Sequence, residues 1–451
     1  AAWTSGLMAT QREVLRYETE SPTAAPRPSQ TAEELFAPQP GKSFGVLTAV
    51  VQLAFIAAFH KCKLQEEADA ALGTDTSLYL GVALMIFVGF GYLKTFLKAY
   101  GLGAVGFTLL ISCVGIQWAL ILESCLRQAD FTIDLPALLR ANIDVVPVLV
   151  SFGALIGRVS PLQIILLVLI ELPCFTVHKV CLLRQGDARP LVHDGGGTFL
   201  HVFGAYFGLA AASSLGPAGK EKLRSSSYQS DILALIGTVF LWMSWPSFVA
   251  AGQATRAAQL QALLNTVLAL LSSTVMTFGL SQLQDGRLDP QTVQNATLAG
   301  GVAIGATASV VGPFAAAVLG TIAGSLATVG FALSPLFRVV DTCGVHNLHG
   351  LPGILGGIYS ALVPWWYPQS GYVSSHQWVG LLLTLAMAGI SGSLCGCILK
   401  AVERLEGNEA LKRAAEELDL PASELVLEQF SDDLYWSCAE DVPRSLPLIQ
   451  L

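Results

Sequence analysis

The sequence predicts an all-α polytopic membrane protein with about 12 transmembrane helices. Hydrophobic residues make up 53% of its 451 positions and charged residues 13%, about half the charged share of an ordinary soluble domain. The apolar residues also gather into runs of roughly 20, the length a helix needs to cross a bilayer. Lipid offers no partner for backbone polar groups, so such runs must be helical.

In chain order, residues 1–43 form a polar, proline-containing tail without the charged-then-apolar layout of a secretory signal. The predicted spans follow at 44–60, 77–97, 102–123, 143–157, 161–178, 196–215, 230–252, 257–281, 296–310, 313–334, 345–363 and 376–400. They make residues 44–403 a transmembrane domain. Glycines recur late in it, at Gly300, Gly301, Gly305, Gly320 and Gly324, where small residues let helix backbones approach. Trp365, Trp366 and Tyr367 end one span as an interfacial belt. The loop 216–229 carries Lys220, Lys222 and Arg224 and leans toward the cytoplasmic side, but other loops carry base too, so charge alone leaves orientation open. Residues 404–451 form a second polar tail, either passive or a docking point for a cytosolic partner.

Net charge is −8, with much of the acid in the tails, and no basic cluster points to nucleic acid. The nine cysteines show no metal-ligand spacing. A Cys62–Cys125 disulfide is a minor expectation. Asn295-Ala296-Thr297 matches a glycosylation acceptor but abuts a span, which argues against its use.

Ionisable groups at membrane depth are costly and therefore candidates for function. His201 lies in the span 196–215, and His346 and His349 near the start of 345–363. Residues three apart share a helix face, so His346 and His349 point the same way if that turn is α-helical. With only seven histidines in the chain, a metal site is a minor alternative, and no cofactor or enzymatic reaction is expected. Asp194 and Asp341 each open a histidine-bearing span, where an acid caps the helix and suits its dipole. Trp245 and Phe248 flank Pro246, which should kink its helix and can set a constriction beside a bulky ring. Glu171 is the main buried acid a coupled secondary transporter would use.

Several blocks together resemble the Rhesus glycoprotein branch of the ammonium transporter superfamily. They are Phe87-Val88-Gly89-Phe90-Gly91-Tyr92-Leu93, Gly115-Ile116-Gln117-Trp118-Ala119, His201-Val202-Phe203-Gly204-Ala205-Tyr206-Phe207-Gly208-Leu209 and Ser227-Tyr228-Gln229-Ser230-Asp231. Phe240-Leu241-Trp242-Met243 and Gln294-Asn295-Ala296-Thr297-Leu298-Ala299-Gly300-Gly301 continue the likeness. The most specific block is Asp341-Thr342-Cys343-Gly344-Val345-His346-Asn347-Leu348-His349-Gly350. Even Phe430-Ser431-Asp432-Asp433-Leu434-Tyr435-Trp436 in the tail is similar to the family's ending.

The resemblance implies an 11-helix core built as an inverted five-helix repeat, one extra N-terminal helix, and a homotrimer with a pore in each subunit. It implies an apolar pore with two histidines side by side at mid-depth: His201, and by its spacing from Asp341 His346, with His349 as the fallback. Phe248 matches the inner of two aromatic guards. The chain also departs from the pattern. After Asn142-Ile143-Asp144 comes Val145 in place of the outer aromatic, which suggests a looser or differently built entrance. Asp194 stands seven residues before His201 rather than eight, so His193 is an alternative in its place. Val249 replaces an asparagine, and Lys179 falls where an acid recruits cations.

The expected function is a channel for ammonia/ammonium, with CO2 as a second substrate. A non-conducting sensor or scaffold is the main rival. The expected setting is a lipid bilayer, the plasma membrane first and an organelle envelope second.

Overall fold

A computed structural model describes residues 42–64, 69–127, 131–183, 197–216, 226–333 and 340–418, together with 426–427, 432, 436 and 449–450. Each predicted span meets helix. The elements are α1 (Lys42–Phe59), α2 (Asp69–Leu84), α3 (Phe90–Leu93), α4 (Gly101–Arg127), α5 (Leu135–Leu155), α6 (Pro161–Leu183), α7 (Gly197–Leu215) and α8 (Tyr228–Ala251). Then come α9 (Arg256–Asp285), α10 (Pro290–Ala296), α11 (Ala299–Ile304), α12 (Pro313–Leu333), α13 (Leu351–Trp366) and α14 (Ser374–Leu418). Among the described residues, eight stretches are long and apolar enough to cross a membrane, and two shorter apolar helices lie at Ser43–Phe59 and Phe199–Leu215.

The chain divides into two compact units. One holds Pro40–Glu406 and Gln429–Cys438. The other holds Ala1–Gln39, Gly407–Glu428 and Ala439–Leu451; its described parts are the end of α14 and a short antiparallel pairing of Val426–Leu427 with Ile449–Gln450.

Within the first unit, apolar side chains point both inward and outward, as a bilayer requires. Val46, Val50, Leu53 and Ile56 of α1 are exposed, while the opposite face sets Phe55 on Trp118 of α4 (ring centroids 5.9 Å apart) and Gln52 against Gln117 (3.0 Å). The interior is dense because glycines bring backbones together. A Cβ on Gly204 of α7 would lie 2.8 Å from Pro147 Cα of α5, and one on Gly208 would lie 2.7 Å from Ser151 Cα. Gly324 of α12 packs in the same way on Ser273 of α9.

The predicted single span 296–310 is not one helix. It is two short helices, α10 and α11, followed by turns, and Ala299–Ile304 are all buried. Irregular backbone is tolerated at membrane depth where protein satisfies it. Here Ser273 Oγ donates to Ala296 O (2.9 Å) and accepts from Gly300 N (3.2 Å), and Asn265 Nδ2 donates to Ala308 O (2.8 Å) and Val311 O (2.7 Å). Asn295 is buried at the same break, so its acceptor pattern is out of an enzyme's reach. Cys62 and Cys125 are not bridged.

Two π-helical turns interrupt the α-helices, Met85–Gly89 before α3 and His346–Gly350 before α13. Such turns are rare and concentrate at functional sites. Phe90, the residue that follows the first turn, lies parallel to His349 of the second, ring centroids 6.2 Å apart.

Candidate functional site

α7, α8 and the π turn before α13 bring four aromatic side chains into one buried stack. The His201 and His349 rings lie nearly parallel, centroids 5.0 Å apart at 17°. Trp245 lies nearly parallel beside both rings, 5.2 Å from His201 at 24° and 6.4 Å from His349 at 17°. Phe248 tilts against His201 at 5.7 Å. On the far side of His349, Phe90 lies parallel at 6.2 Å. His201, His349, Trp245, Phe248 and Phe90 are all buried.

The ring that meets His201 is therefore His349, not His346. The reason is local. Residues three apart share a face in an α-helix, but the chain here makes i→i+5 turns, with Leu351 N donating to His346 O. A wider turn holds more residues, so His346 and His349 diverge. His346 instead sits edge-on to Tyr206 (5.9 Å, 78°), its Nδ1 3.4 Å from the hydroxyl.

Asp341 secures the turn. Its two carboxylate oxygens accept from Val345 N (2.9 Å) and His346 N (2.8 Å). Asp194 and His193 lie outside the described residues. His201 is held by its own helix, since α7 is clamped to α5 at Gly204 and Gly208. One turn below, Ser151 Oγ sits 2.8 Å from Gly204 O and 2.6 Å from Glu171 Oε1, tying α5, α6 and α7 together.

The walls are apolar, with a few polar atoms left over. Both ring nitrogens of His201, Nδ1 of His349 and Nε1 of Trp245 are buried without a hydrogen-bond partner among the described residues. Buried polar atoms are paired in the great majority of cases, so four in one cluster mark a place built to meet something polar and small.

Along α8, the spacing of Trp245, Phe248 and Ala251–Gly252 leads from the stack to a cavity of about 880 Å³ at the helix's end. This vestibule is lined by Ile143, Asp144, Arg140, Glu123, Lys179 and Gln253, among others. Four of its charges form two pairs, Lys179 Nζ donating to Asp144 and Arg140 Nε to Glu123 (2.9 Å), and Asp75 adds a further acid to the lining. Val145 does not border it. The side chain is fully buried and packs against Gly115 of α4, where a Cβ would lie 2.8 Å from Val145 Cγ2. Val145 thus fills space between helices rather than lining this cavity.

The opposite end holds Lys94, which the sequence reading passed over. It lies inside the predicted span 77–97, and an ionisable residue within a span is the signal that should have marked it. Among the described residues, no cluster of His, Cys, Asp or Glu is arranged to hold a metal.

The model of the Ammonium Transporter Family matches residues 44–423. The chain is 40% identical over 356 residues to the ammonium transporter Rh type C of Rattus norvegicus, covering 71% of each chain. It is 37% identical over 401 residues to the human ammonium transporter Rh type B, covering 78% of this chain and 85% of that one. Among solved structures it is similar to Rh50 of Nitrosomonas europaea, from a study of conduction by the Rhesus family of channels. That match has a TM-score of 0.67 at 30% identity and covers 78% of this chain and all of the other.

Proposed function

The chain belongs to the Ammonium Transporter Family and is a multi-pass membrane protein, and from that premise we propose that ammonia crosses through the His201–His349 stack. The observation that carries the reading is the pair of buried, parallel imidazoles with unpartnered ring nitrogens between apolar walls. A bare cation in such a lumen pays a large desolvation cost, while a neutral molecule pays little. Ammonium sheds a proton at the vestibule, ammonia crosses, and a proton is regained at the far end. A neutral imidazole offers one donor and one acceptor nitrogen, so each ring can hydrogen-bond ammonia without charge.

His201 and His349 line this route, with Trp245 and Phe248 shaping its vestibule side. The vestibule lining carries one more acid than base, Asp75, Glu123 and Asp144 against Arg140 and Lys179, which supports recruitment of ammonium at its mouth. CO2 is a second substrate because the same apolar lumen costs a small neutral molecule little. We carry over from the family resemblance a homotrimer with one route per subunit, set in the plasma membrane.

Stopped-flow pH recording in sealed proteoliposomes tests the reading, with separate ammonium and CO2 challenges. A fast ammonia response lost in His201→Ala is the expected result. A response to CO2 alone makes the protein a gas channel. No response to either leaves a sensor or scaffold.

A further inference from the structure

Just past the histidine pair, the chain buries a positive charge. Lys94 follows α3, in a 3-10 turn at Lys94–Phe96, and is 3% exposed. Its Nζ reaches back to donate to Phe90 O (2.9 Å) and lies over the rings of Phe90 (5.2 Å) and Phe152 (5.5 Å). Ring faces and a carbonyl attract a cation. Among the described residues no carboxylate pairs with it.

The surroundings give this lysine a direction. It shares a cavity of about 20 Å³ with His349, Phe90, Val345, Leu348 and Asn295. Phe90 both stacks on His349 and carries Lys94 on its ring and carbonyl. Anything that leaves the imidazole pair away from the vestibule therefore enters a cavity walled in part by Lys94. Like charges repel far more strongly in a dry interior than in water. A structural lysine, kept only to cap Phe90 O, would not need to line that cavity.

We propose that Lys94 is a charge filter at the exit of the route, admitting ammonia and rejecting ammonium. The inference rests on the conduction route proposed above. It makes the exit, rather than the acid-bearing vestibule, the point where cations are refused.

The test compares charge with flux in the same proteoliposomes under an ammonium chloride gradient. Solid-supported-membrane recording gives the charge moved, and stopped-flow pH recording gives the ammonia moved. The wild type should show ammonia flux, abolished by His201→Ala, with little charge. Lys94→Met and Lys94→Gln should each raise the ratio of charge to ammonia by roughly tenfold or more, while Lys94→Arg should stay at the wild-type ratio. Using two neutral variants guards against one failing to fold. An unchanged ratio in the neutral variants overturns the filter, and so does a wild type that already moves one charge per ammonia. If the wild type shows no ammonia flux sensitive to His201→Ala, the conduction reading beneath the filter fails instead.

Discussion

Among individual residues, His346 and His349 have the same chemistry and lie three positions apart, yet their surroundings differ. His349 is buried against His201 and Phe90, and its Nδ1 is unpartnered. His346 is half-buried beside the Tyr206 hydroxyl. The residues therefore separate in function. His349→Ala should lower ammonia flux by roughly two- to tenfold, the value of one hydrogen bond to the crossing molecule. His346→Ala should leave it near wild type. Equal losses in both variants, read by stopped-flow pH recording, would show that the stacked pair is not what the substrate meets. His201 was legible in the sequence because a histidine inside an apolar run is conspicuous. Its partner was not, because the face shared by residues three apart depends on the turn being α-helical.

At the level of elements, the route depends on helices held closer than ordinary side chains permit. Gly204 and Gly208 place α7 directly on the backbone of α5, and His201 stands one turn before Gly204. A valine at Gly204 would meet Pro147 O at 2.6 Å and Pro147 Cα at 2.8 Å, so α7 must move outward. Overpacking of this kind costs about 1–3 kcal/mol. Gly204→Val should therefore lower the thermal midpoint in detergent, and it should cut flux along with it by shifting His201. A variant with a wild-type midpoint and flux would mean that α7 is not clamped there. Glycine spacing pointed to close packing, but it could not say which helices meet. The break between α10 and α11 was hidden for a related reason. Its freed backbone groups are satisfied by Ser273 and Asn265 on the preceding helix α9, through side-chain contacts that span 23 and 46 positions and that no local pattern shows.

Over the whole molecule, distant segments close the ends of the bundle. Asp432, in the acidic tail, caps the start of α4. Its carboxylate accepts from Leu102 N (2.6 Å) and Gly103 N (2.7 Å), across about 330 residues of sequence. Trp436 lies on Phe107 (5.6 Å) and over Gly106. An anion suits a helix N-terminus, and losing such a cap costs about 1 kcal/mol. Asp432→Ala should thus increase proteolysis and hydrogen exchange around residues 429–438 and 101–107, with the rest of the bundle unaffected. Exchange that is unchanged in both segments would show that the cap does not hold the tail. Ser230, near the start of α8, bonds Phe96 O (3.0 Å), two residues after Lys94. The start of α8 and Lys94 therefore mark one end of the bundle, and the vestibule beside Ala251–Gly252 marks the other.

Composition and apolar run length alone determined that this chain is helical and lies in a membrane, because a bilayer imposes its thickness and its lack of hydrogen bonds on any chain that crosses it. The ordered blocks around His201 and Asp341–Gly350 determined the family, and with it the expectation of a paired-histidine route. Only the tertiary structure decided which histidine lies against His201, that Val145 packs inward, that Lys179 is paired with Asp144, and that Lys94 lies beside Phe90 in a cavity shared with His349. Each of these depends on which helix faces meet, and contacts between residues far apart in sequence are set by packing that no local pattern records.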